Sequence, residues 1–261
     1  MDNAMIVALC LLLPFLGTVV GSASSLMLRS DPGDRIRKGL LGFAGGVMIA
    51  ASVWSLLIPA IELGEGTETP WLPAALGFLI GIGFLLLLDT LVPHVHPSSE
   101  VAEGRNRKYS WRSMLMIAVT LHNIPEGMAV GAVLAGAFHG GESISLPAAL
   151  TLSIGIAIQN MPEGAVISAP LISAGASKKR AFVYGMISGV VEPLGCILML
   201  LMTAALTPAL PYIMAFAAGA MMYVVVEELI PDSQAGDHSN AGTVGAAIGF
   251  VLMMVLDIAL G

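Results

Sequence analysis

Two segments, TLHNIPEGMAVG at 120–131 and IAIQNMPEGAVIS at 156–168, carry the same polar insert inside long apolar runs. The first holds His122, Asn123 and Glu126, the second Gln159, Asn160 and Glu163, each with a proline directly ahead of its glutamate. The apolar surroundings extend over about 113–138 and 146–170. A helix crosses the bilayer core with about 20 mainly apolar residues, so each insert falls inside a membrane-crossing helix rather than in a loop.

Six further runs of this kind obey the same rule, at about 4–28, 39–61, 71–92, 181–205, 209–230 and 242–260. They are continuous rather than alternating and rich in Gly, Ala, Leu and Met, which predicts helices and not barrel strands. Composition agrees: 56% of residues are hydrophobic and 11% charged, against roughly a quarter charged in soluble domains. Mean hydropathy is +0.87. The expected fold is an all-α membrane protein of eight transmembrane helices, one domain over 1–261 with no soluble domain. The first run is too long for a signal peptide and is preceded by Asp2 rather than a basic stretch, so it counts as a helix. Cys10 and Cys196 stand singly in predicted helices and read as small buried hydrophobes.

All 11 Lys and Arg cluster in three predicted loops: Arg29, Arg35, Arg37 and Lys38; Arg105, Arg107, Lys108 and Arg112; Lys178, Lys179 and Arg180. Those loops share one side of the membrane. The positive-inside rule makes that side cytoplasmic and places both termini outside. The opposite loops carry Glu62, Glu65, Glu68 and Glu142 and no base; these acids either attract cations or simply solvate the loops. No nucleic-acid partner is expected. The longer loops, at about 93–112 and 231–241, are cytoplasmic in this topology, and the first should be flexible.

An internal echo links FAGGVMIAASVWSLLIP at 43–59 with FAAGAMMYVVVEELIP at 216–231, and each following helix closes on a late Leu-Asp, at Asp89 and Asp257. Three helices before the central pair thus resemble three after it in opposite orientation, the plan transporters use around a midplane site.

The inserts are costly. Residues three and four apart share a helix face, so His122 and Asn123 neighbour Glu126, while Gln159 and Asn160 neighbour Glu163. Pro125 and Pro162 weaken the backbone bonds to the Leu121 and Ile158 carbonyls, adding a possible oxygen donor to each set. Glu192, in SGVVEPLG, is a third carboxylate of this kind. A charged side chain at a helix centre costs about 3 kcal/mol. No Lys or Arg lies in a predicted span interior to offset it. Protonation could do so; a divalent cation, satisfying several oxygens at once, does it better. One such insert reads equally as glue between helices. Two matched inserts and a third glutamate favour metal. A mixed nitrogen and oxygen set suits zinc first, then cadmium, iron(II), cobalt or manganese, and holds either one ion or two bridged by Glu126 and Glu163.

At these residues the chain resembles the ZIP (Zrt/Irt-like) family of divalent metal transporters, most closely its prokaryotic GufA-like branch. The likeness is carried by LHNIPEG, IQNMPEG, SGVVEPLG, EELIP and the closing LDIALG, over essentially the whole length. It implies a 3+2+3 helix plan and a metal centre of His122, Asn123, Glu126, Gln159, Asn160, Glu163 and Glu192. It also implies a bundle of helices one, four, five and six sliding against a scaffold of two, three, seven and eight, in a homodimer. The cargo would be Zn2+ or another divalent transition metal, taken towards the cytoplasm across a plasma or bacterial inner membrane, with no cofactor. Gln159 stands where eukaryotic members often place His, and Asn160 where some prokaryotic relatives have Asp. A second ion would therefore meet less negative charge.

Met48, Ser52, Glu62 and Asp89 are candidates for an outer entrance, Met48 by the family match alone. Glu227, Glu228, Asp232, Asp237 and His238 could draw metal towards the cytoplasm, with Asp257 assisting either route. His94 and His96 could take up released metal, or be solvated loop residues. Two other readings are a selective metal channel and an intramembrane zinc hydrolase with Glu126 as base, although the chain lacks HExxH.

Overall fold

The structure, a computed structural model, describes residues 2–27, 33–65, 67–92, 111–139, 144–173, 175–205 and 207–261. His94, His96 and Glu142 lie outside the described residues, as does the loop at about 93–110. Among the described residues there are eight long helical segments: α1 Asn3–Met27, α2 Asp34–Glu62, α3 Trp71–Leu91, α4 Trp111–His139, α5 Leu146–Ser173, α6 in two pieces Lys178–Gly189 and Val191–Ala205, α7 Leu210–Gln234 and α8 Ala241–Leu260. Seven are long and apolar enough to cross a membrane by length and composition. The eighth, α5, has 28 residues and carries its Gln159-Asn160 and Pro162-Glu163 insert near its middle.

Small residues decide which helices touch. The buried face of α1 repeats Cys10, Pro14, Gly17, Thr18, Gly21, Ser22 and Ser25 at helical spacing, and it lies against α5. A stripe of small side chains lets two backbones approach closely in lipid, where van der Waals contact rather than water exclusion drives association. Helix α8 packs on α2 in the same manner, and a Cβ at Gly42 would strike the backbone of Gly242. Helix α3 packs on α7, and α4 on α6.

The echo between residues 43–59 and 216–231 has a structural counterpart. Each segment contains a π-helical turn, Ser52–Leu57 in α2 and Val225–Leu229 in α7, directly ahead of Ile58-Pro59 and Ile230-Pro231. The amides of Ile58 and Ile230 donate five residues back, to the carbonyls of Val53 and Val225. Such turns insert one residue into the helix and rotate the next residues to a new face: Glu228 is buried while Glu227 is exposed. The late aspartates also correspond. Ser55 donates to Asp257 Oδ1 at 2.7 Å between α2 and α8, and Asp89 of α3 meets the Tyr223 hydroxyl of α7.

Three expectations change. Helix α2 begins at Asp34 rather than 39, so Arg35, Arg37 and Lys38 are helical. Lys38 is fully buried; its ammonium pairs with Asp34 Oδ2 at 2.9 Å and donates to the Asp237 carbonyl, so one base does lie inside the packed structure. Helix α7 runs to Gln234, which shortens the connection predicted over 231–241. Cys10 and Cys196 are both buried free thiols.

Candidate metal centre

All seven predicted donors are buried, between 0% and 9% exposed. Helix α4 supplies His122, Asn123 and Glu126 around Pro125, α5 supplies Gln159, Asn160 and Glu163 around Pro162, and α6 supplies Glu192 where its two pieces meet. The glycines directly after the two PEG glutamates explain why these helices can converge. A Cβ at Gly127 would stand 2.7 Å from the Glu192 Cα, and one at Gly164 would stand 2.9 Å from the Thr18 carbonyl oxygen. Only a hydrogen fits at either crossing, so the glutamate and glycine of PEG form one unit: the acid turns inward where the backbone touches its neighbour.

The polar groups form a connected network. Gln159 Nε2 donates to Glu126 Oε1 at 2.7 Å and lies 3.3 Å from Asn160 Oδ1. Asn160 Nδ2 donates to Thr18 Oγ1 at 3.1 Å, and Thr18 donates in turn to Glu192 Oε1 at 2.6 Å. Glu126 is close enough to Glu163 and Glu192 to feel both charges. The network is left with an excess of acceptors. Glu126 Oε2, Gln159 Oε1, Glu163 Oε1 and Glu192 Oε2 are buried without a hydrogen-bond partner. Buried acceptors without a donor are costly, and four within one network call for a positively charged guest.

The arrangement also separates the predicted set. Asn123 Nδ2 donates to the Ser188 carbonyl at 3.1 Å, which ties α4 to α6. His122 Nε2 contacts Glu228 Oε2 of α7. His122, Glu163, Glu228 and Asp232 line a cavity of about 30 Å³, enough for a water or a small ion. Among the described residues no three His, Cys, Asp or Glu side chains stand together as a ready cage. A cation at the network therefore needs the amide oxygens as well as carboxylates.

Of the pathway candidates, Met48 and Ser52 are fully buried in α2, Ser52 opening its π turn. Glu62, Glu227, Asp237 and His238 are exposed, whereas Asp89 and Asp257 are half-buried. Sequence reasoning missed Thr18. A lone threonine in an apolar run carries no signal at the level of sequence, and its place was marked only by the small-residue stripe of α1. Thr18→Val keeps the shape and deletes both hydrogen bonds, freeing Glu192 to turn. It should weaken binding of a divalent metal at the network by about 10–100-fold, with Thr18→Ser restoring it; an unchanged affinity would mean Thr18 is packing only.

A sequence model of the family described as ZIP Zinc transporter matches residues 112–257. The chain is 36% identical to zinc transporter ZIP11 of Homo sapiens, over 94% of this chain and 94% of that protein. It is 36% identical to zinc transporter GufA of Myxococcus xanthus, over 94% and 96%, and 32% identical to zinc transporter ZupT of Chlorobaculum parvum, over 95% and 95%. These relatives are named as transporters, not as enzymes.

Proposed function

The chain belongs to the ZIP zinc transporter family and is a multi-pass membrane protein, and from that premise we propose that it carries Zn2+ across a plasma or bacterial inner membrane towards the cytoplasm. The observation that carries this reading is the set of four buried, partnerless oxygens from α4, α5 and α6. Glu126, Glu163 and Glu192 hold the ion through their carboxylates, Gln159 and Asn160 add amide oxygens, and His122 adds the nitrogen that favours transition metals over calcium. Asn123 engages the ion only after releasing Ser188. Glu126, which accepts from Gln159 and interacts with both other acids, is with Glu163 the bridge if two ions bind. Cd2+, Fe2+, Mn2+ and Co2+ are further cargoes by the same donor chemistry.

The matching π turns and late aspartates support an inverted 3+2+3 plan with both termini outside. Close packing of α1 on α5 and of α4 on α6, set against α2 on α8 and α3 on α7, supports a transport bundle moving along a scaffold as an elevator, in a homodimer. Burial of every donor favours such a carrier over an open channel. The cavity beside His122 then leads the ion past Glu228 and Asp232 to the exposed Asp237 and His238, while Met48, Ser52 and Glu62 serve the outer route, Asp257 assists either route, and Glu227 serves the inner, with Asp89 beside Tyr223 at the same cytoplasmic end. His94 and His96 receive released metal.

The test is uptake into proteoliposomes of each metal in turn. Zinc flux that saturates at low rates supports the carrier, conductance that does not saturate supports a channel, and no flux of any metal sinks the proposal. Protons compete for the same oxygens and for His122, so uptake should fall steeply below about pH 6. Binding should also release protons. Titration calorimetry in buffers of different ionisation enthalpy checks this, and identical heats would contradict it.

A further inference from the structure

A second cavity, of about 440 Å³, lies on the opposite side of α4 from the ligand network, in the seam where α3 and α7 face α4 and α6. Met128 and Met199 are buried in its lining, while Ile80, Phe84, Leu198 and Met202 are exposed at its rim. No charged side chain lines it, so an ion or a lipid headgroup finds nothing to bind there.

Its dimensions narrow the occupant further. On α3 the lining runs from Gly77 to Leu88, about 16 Å of helix and close to half of the roughly 30 Å hydrocarbon core. Even the whole empty space of about 980 Å³, spread over that length, gives a mean cross-section of about 60 Å², whereas a helix about 10 Å across needs about 80 Å². The slot is too narrow for a helix from a second copy, and its depth is that of a single leaflet. Its exposed rim consists of the apolar residues that a bilayer would bathe.

We propose that this seam is a binding site for one acyl chain of a bilayer lipid, lying between α3 with α7 and α4 with α6. Met128 stands two residues from Glu126, so the chain touches the turn that carries the ligand on its other face. The lipid fills the space between two pairs of helices that touch each other through α4 and α7, and it would have to shift whenever they slide.

The experiment uses the full chain in phospholipid vesicles doped with a lipid that bears a photoactivatable diazirine midway along one acyl chain, with peptide mapping of the labelled protein. Labelling at Ile80–Phe84 and Leu198–Met202 should exceed severalfold that at Val251 and Val255, exposed residues of α8 outside the seam. Met202→Trp, which fills the slot from an exposed position, should lower seam labelling severalfold and leave α8 labelling unchanged; Val255→Trp should change neither stretch in the seam. Equal labelling of seam and α8, no response to Met202→Trp, or chain-to-chain cross-links through the seam that identify a second copy would each overturn the proposal. Zinc flux plays no part in the readout, so the result stands apart from the transport reading.

Discussion

Glu126→Gln should reduce zinc uptake by at least about 100-fold while leaving the folded yield unchanged. The substitution keeps the volume and can still accept from Gln159 through its amide oxygen, so helix packing is preserved. It removes the negative charge that Glu126 shares with Glu163 and Glu192, and it puts an NH2 donor into a place whose free acceptors are needed for metal. Glu163→Gln should behave alike, with the added loss of the charge beside His122. Gln159→Ala should instead change the ranking among zinc, cadmium, iron and manganese, because it deletes an amide and leaves all three acids in place. Uptake of each metal at saturating and limiting concentration, alongside size-exclusion profiles, separates these outcomes. If both glutamate variants carried zinc at the normal rate, these acids would not be the ligands.

Helix positions and the buried polar residues at the centre were legible for a simple reason. In lipid the backbone bonds only to itself, so apolar length alone marks a span, and a carboxylate inside one stands out against its surroundings. His122, Glu126, Gln159, Glu163 and Glu192 could be read in that way. Their partners could not, because contact between helices is a property of small side chains with no signal of their own. Thr18, which holds both Glu192 and Asn160, looks like any other residue of α1. The displaced start of α2 has a different cause. Charged residues before 39 read as loop, but a helix can bury a lysine near its end when the ammonium finds a carboxylate one turn back and a carbonyl across the connection, as Lys38 does with Asp34 and Asp237. The π turns were invisible as such. The Ile-Pro pairs directly after them were visible, and the matched segments around those pairs were the one hint that α2 and α7 share a local distortion.

Gly127→Leu should remove the fold around the centre rather than one ligand. A Cβ at this position meets the backbone of Glu192, which cannot step aside as a flexible side chain could. Overpacking costs about 1–3 kcal/mol where neighbours can yield, and here the obstacle is a helix main chain. Relief requires α4 and α6 to part, which pulls the Glu192 carboxylate away from Glu126 and breaks the Asn123 bond to the Ser188 carbonyl. The expected result is a large fall in folded yield and no zinc uptake from the fraction that survives. Gly164→Leu at the α1–α5 crossing should match it, since the same addition presses on the backbone of Thr18 and Ser22. Gly83→Leu is the control: a Cβ there meets nothing within 4 Å, so thermal unfolding and uptake should stay at the level of the parent chain. Normal stability and uptake for Gly127→Leu would mean that α4 and α6 do not cross this closely, and the ligand network would lose its geometric basis.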